Sequence, residues 1–142
     1  MAAGREERNM KMRAVHSPEV RTPGAKTWTN CKVRGDHVFI SGMTARDLAG
    51  NVVGESSMYE QSRQALRNIR HLMEAAGGRM NDIIKVTIFV TDIGQREEVW
   101  RAREEFFSGD FPCSTLVEVR ALATPQLLVE IEAVGFLGAG AD

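Results

Sequence analysis

Residues 56–78 read SSMYEQSRQALRNIRHLMEAAGG, and no other stretch restricts the fold so tightly. Ala65, Leu66, Ile69, Leu72, Met73 and Ala76 recur at three- and four-residue spacing, which places them along one side of an amphipathic helix. Ser57 and Glu60 have the spacing of a capping box at its start, and Gly77 and Gly78 supply the stop. Such a stripe needs a surface to bury against. The β-branched, alternating run DIIKVTIFVTD at 82–92 follows directly, so a helix laid on a sheet is expected.

The remaining elements extend that plan. TWTNCKV (27–33) and HVFISG (37–42) read as two strands, with RGD (34–36) as the hairpin turn between them. ARDLAGNVVG (45–54) holds two glycine-punctuated turns. Asp92 and Gln95 form a second capping-box pair, opening a helix through about Phe107 with Val99, Ala102 and Phe106 facing inward. STLVEV (114–119) and LLVEIEAVGF (127–136) close the chain as strands. The order ββ-α-β-α-ββ gives an α+β fold, a mixed β-sheet with two helices packed on one face. Residues 1–26 are polar and broken by Pro18, Pro23 and Gly24, and read as an irregular N-terminal arm before a single domain at 27–142.

Several function classes fall away on composition. A formal net charge of −1 and a pI near 6.3 offer no field that would draw in a nucleic acid. Arg63, Arg67 and Arg70 form a basic stripe on the first helix, but no aromatic residues are interleaved, so it reads as a solvated face. No run is apolar enough for a membrane span or a secretory signal, which leaves a cytoplasmic protein as the expectation. No phosphate loop, dinucleotide fingerprint or metal-ligand spacing is found, so neither cofactor nor metal is expected.

The residue types that carry chemistry are few. FPCSTLVEV at 111–119 sets Cys113, Ser114 and Thr115 after a rigid proline, yet no histidine motif or strained elbow activates any of them. Glu130 and Glu132 share one face of the last strand, opposite Val129, Ile131 and Ala133. They are either a paired solvent face or a general acid/base carboxylate beside a pocket. Trp28 and Trp100 are packing residues or the walls of that pocket.

Taken together, VFISGMTARDLAGNVVG, EQSRQALRNIRHLMEAAGGRMNDIIKVTIFVTDI, EEFF, FPCSTLVEVRAL and LVEIEAV resemble the RidA/YjgF family of small deaminase-like proteins, from about Thr27 to Phe136. The resemblance implies a chorismate-mutase-like fold and a homotrimer with small-molecule pockets at its subunit interfaces. It also implies cofactor-independent hydrolysis of an enamine or imine to a carbonyl compound and ammonia. Glu130 matches the family's water-activating glutamate and Ser41 the serine beside the pocket. Ser114 stands where the family carries a carboxylate-gripping arginine, and Leu116 where it carries a cysteine. Trp28 replaces a tyrosine and Trp100 an asparagine, with Cys113 a neighbour of the altered stretch. Expected, then, is a deaminase with a substrate other than 2-iminopropanoate. The alternative is a non-catalytic trimer that binds a metabolite or a protein.

Overall fold

The computed structural model describes residues 11–140; the first ten residues of the arm lie outside it. Six strands form one sheet: β1 (Arg13–Val15), β2 (Cys31–Arg34), β3 (His37–Met43), β4 (Ile83–Val90), β5 (Cys113–Glu118) and β6 (Val129–Phe136). Their spatial order is β1-β2-β3-β6-β4-β5. Only the β4–β5 pair is parallel, so the sheet is mixed as the element order implied. β1 falls inside the stretch expected to be irregular. It pairs with β2 and buries Val15, because an extended segment completes the edge that β2 would otherwise leave open.

Helix α1 (Met58–Ala75) carries the apolar stripe, and all six of its sequence-assigned residues are buried. Ser57 is the N-cap and accepts from the Glu60 amide at 3.1 Å, while its own N–H donates to the Gly54 carbonyl instead of to the Glu60 side chain. Two amides on α1 hold loops in place. Gln61, fully buried, donates to the Gln126 carbonyl and accepts from the Leu128 N–H, both at 2.8 Å. Asn68 donates to the carbonyls of Thr44 at 3.1 Å and Arg46 at 2.9 Å.

The second helix is shorter than expected. Asp92 caps a 3-10 turn at Ile93–Gln95 by accepting from the Gly94 N–H, and α2 runs only Arg96–Arg103. Turns follow, so Phe107 enters the core where Phe106 was expected to, and Phe106 lies half-buried under the Arg70 guanidinium. Tyr59 on α1 donates to Glu105, which also faces Arg63, and this closes the helix pair. Trp28 precedes β2 and is not on a strand, since β2 begins only at Cys31.

The core lies between helices and sheet, with Val86, Ile88 and Val90 of β4 beside Val129, Ile131 and Ala133 of β6. The other face is open. It presents Phe39, Thr87, Glu132 and Val134, and Phe39 is 49% exposed.

Candidate functional site

β-pairing assigns every candidate residue to a side of the sheet. Glu130 is level with Phe89 and Glu132 with Thr87, so both carboxylates face away from the helices. Beside them the β3–β6 register shifts between Ile40 and Met43, a bulge that holds Ser41 and Gly42. Gly42 is where a side chain is not tolerated. A Cβ there would lie 2.7 Å from the Glu130 Cδ, so the missing methyl group is what lets the carboxylate fold over β3.

Glu130 thereby reaches a cavity of about 500 Å³ between β3, the loop around residues 20–30 and the segment before β6. Trp28, Asn30, Arg46, Asn68 and Leu127 line it with Glu130. Trp28 is 62% exposed and is steadied by its indole N–H, which donates to Asn30 Oδ1 at 3.2 Å. Burial raises the Glu130 pKa above its ordinary value, and the neighbouring Glu132 charge adds to the rise. Arg46 donates to the Gly50 carbonyl and pairs with no carboxylate among the described residues. The arrangement suits acid/base work: a half-buried carboxyl group with a raised pKa, an aromatic wall and polar side chains converging on one space.

Ser41 is close but faces differently. Its hydroxyl donates to the Thr29 carbonyl at 2.6 Å, and it lines a shallow depression on the open sheet face with Lys32, Lys85 and Glu132. Cys113 is level with Lys85 on that face, a free and exposed thiol. Cys31 is the opposite case, a buried thiol pushed up to about 11 by desolvation, and so inert.

Ser114 and Leu116 lie elsewhere. They are level with Val86 and Ile88, which puts them on the helix side of β5, the edge strand. Trp100 is on the outward side of α2, 39% exposed, with the Arg96 guanidinium 5.8 Å from its ring. Within one chain, then, the candidates divide into two groups on opposite faces of the sheet: Glu130 and Trp28 at the cavity, Ser114 and Leu116 at the edge.

Sequence reasoning passed over Gly42 and Arg103. The Gly42 signal was present, a glycine inside an otherwise β-rich run. Arg103 gave none, because its contact with Ser114 crosses from helix to strand.

Residues 19–136 match the family described as endoribonuclease L-PSP. A RutC family protein of Pyrococcus horikoshii is 33% identical over 102 residues, which is 72% of this chain and 80% of that protein. Among solved structures, a conserved Rid family protein, YyfA, from Yersinia pestis superposes with a TM-score of 0.83 at 27% identity, covering 89% of this chain and all of that one. RidA from an Antarctic Psychrobacter gives 0.81 at 25% identity, covering 88% and 99%.

Proposed function

The chain belongs to the RidA/YjgF (endoribonuclease L-PSP) family, and on that footing we propose that it hydrolyses an enamine or imine other than 2-iminopropanoate, without a cofactor, in a pocket completed between subunits of a homotrimer. The observation that carries the reading is Glu130, a carboxyl group with a raised pKa folded over Gly42 into a cavity with Trp28.

In the reaction, an enamine tautomerises to the imine, which reacts in its nitrogen-protonated form, and ionised Glu130 takes a proton from a water as its oxygen bonds to the C=N carbon. In the resulting carbinolamine that proton passes from Glu130 to nitrogen, and the C–N bond breaks as the hydroxyl gives its own proton to the freed carboxylate, releasing ammonia and the carbonyl product. Trp28 supplies a flat apolar wall and excludes bulk water from one side. The substrate differs from 2-iminopropanoate because a serine cannot give a carboxylate the two parallel charged hydrogen bonds of an arginine at position 114.

Two features support a site shared between subunits. Glu130 and Ser114 occupy opposite sides of one chain's sheet, so a pocket using both needs two chains. The open sheet face also exposes Phe39 and Val117, apolar surface that assembly would cover. Ribonuclease chemistry, which the family's name carries, is disfavoured by the net charge of −1. Among the described residues no helix is long and apolar enough to cross a membrane.

Ammonia release from a panel of enzymatically generated imines tests the proposal. Wild type is expected to outpace the spontaneous rate and Glu130→Gln to fall by about a hundredfold or more. Equal rates for the two proteins across the panel would instead favour the non-catalytic reading, in which the missing arginine at 114 marks a binding module.

A further inference from the structure

The cavity that holds Glu130 also collects two arginines that the hydrolytic scheme does not use. Arg21 reaches it from the loop before β2, and Arg46 from the turn after β3. The main chain of each is pinned by a buried asparagine that lines the same cavity. Asn30 Nδ2 donates to the Arg21 carbonyl at 2.8 Å and Asn68 Nδ2 to the Arg46 carbonyl at 2.9 Å. A backbone bridge to Val52 fixes Arg46 further. The two side chains then meet at one residue. Arg46 Nη1 donates to the Gly50 carbonyl at 2.8 Å, and the Arg21 guanidinium lies against Gly50 where a side chain would otherwise stand. Gly50 has a φ of 90°, so the turn needs glycine both for its backbone and for this contact.

Neither guanidinium has a counter-ion. Among the described residues the Arg21 side chain makes no hydrogen bond or ion pair, and that of Arg46 makes only its bond to Gly50. The acid of the same turn, Asp47, is used by the backbone: its Oδ1 accepts from the Asn51 N–H at 2.9 Å. Two like charges brought to one glycine repel each other, and an anion between them turns that repulsion into attraction.

We infer that Arg21 and Arg46 form the seat for a phosphate monoester on this protein's ligand, with the Glu130 side of the cavity left for the reacting carbon. A carboxylate presents two oxygens and one charge, which a single guanidinium fork satisfies. Two guanidiniums at one point match a group with three outward oxygens and nearly two charges. Trp28 offers a ring face between the two ends, and about 500 Å³ is room for a ring-sized body. No residue of β5 lines this cavity, so the seat is independent of what stands at position 114. The ligand class is therefore an imine or enamine of a phosphorylated aldehyde or ketone. The inference rests on the enamine/imine reading for its reaction, but not for its binding step.

Calorimetric titration of the full chain with phenyl phosphate tests it, with benzoate, inorganic phosphate and phenol as comparisons. Wild type is expected to bind phenyl phosphate more tightly than any of the three. Arg21→Gln and Arg46→Gln should each weaken phenyl phosphate by about tenfold or more and leave the response to phenol unchanged. Arg21→Lys, which keeps a point charge without the fork, should fall in between. Arg21 is exposed, so its variants keep the fold even where Arg46→Gln loosens the turn. Glu130→Gln should bind phenyl phosphate at least as tightly as wild type, since it removes a negative charge from the same cavity. Benzoate bound as tightly as phenyl phosphate, binding undiminished in both arginine variants, or no binding of phenyl phosphate by wild type would overturn the inference. Inorganic phosphate bound as tightly as the ester would overturn it too, because the organic body would then add nothing. Failure of the hydrolase reading looks different: phenyl phosphate binding that depends on both arginines, with no ammonia released from any phosphorylated imine.

Discussion

In the proposed mechanism, Glu130 couples function to stability through one carboxyl group. Its folded-state pKa is raised, so its favourable contribution to folding is complete below the unfolded carboxyl value of about 4.3 and is lost as pH rises through the folded value. At neutral pH the ionised group costs the fold stability. Glu130→Gln is therefore expected to unfold at a higher urea concentration than wild type at pH 7, with the gap closing as the pH is taken below about 4. The same substitution should remove the acid limb from the pH–rate profile, since the base must be ionised to act. Gly42→Ala probes the geometry without touching the charge. The added Cβ displaces a flexible, half-buried side chain, so unfolding should move little while turnover drops on the order of a hundredfold for a carboxylate shifted by about 1 Å. A melting temperature that falls steeply with activity would mean that Gly42 serves the backbone of the bulge instead.

Helix α1 is more than a lid on the sheet, because two of its buried amides build the cavity walls. Gln61 fixes the 126–128 segment from which Leu127 and then Glu130 enter, and Asn68 fixes the carbonyls of Thr44 and Arg46. Gln61→Leu keeps the volume but leaves a buried N–H and a C=O unpaired, so urea denaturation should show a loss of roughly 2–4 kcal/mol. This is also the scale at which the sequence was most legible. The α1 stripe, the β4 run and the alternation of β6 each follow from a local period, and each is present. The failures were local too. β1 forms only because β2 offers it an edge, and α2 stops at Arg103 although helical spacing continues into Phe106. The candidate site was half legible: Glu130 stands out as a carboxylate in an apolar strand, whereas Gly42 needs the β3–β6 register before its contact with that carboxylate is visible.

At the scale of the whole molecule, the proposed homotrimer would use the open sheet face, where Phe39 and Val117 are exposed. The homotrimer predicts a solution mass three times the 15.7 kDa of the chain. Phe39→Glu puts a charge on that face, outside the lining of Glu130's cavity, and should shift the mass toward the single chain in light scattering. A mass unchanged by Phe39→Glu would point to the β5 edge as the contact. The two candidate groups, back to back across one sheet, have a further consequence for genetics. If each pocket draws Glu130 from one subunit and the β5 edge around Ser114 from the next, two individually impaired proteins can complement each other. Glu130→Gln chains and chains with the β5 edge blocked by Ser114→Trp, refolded together in equal amounts, should regain about a quarter of the wild-type pockets by random assortment, while either variant refolded alone regains none.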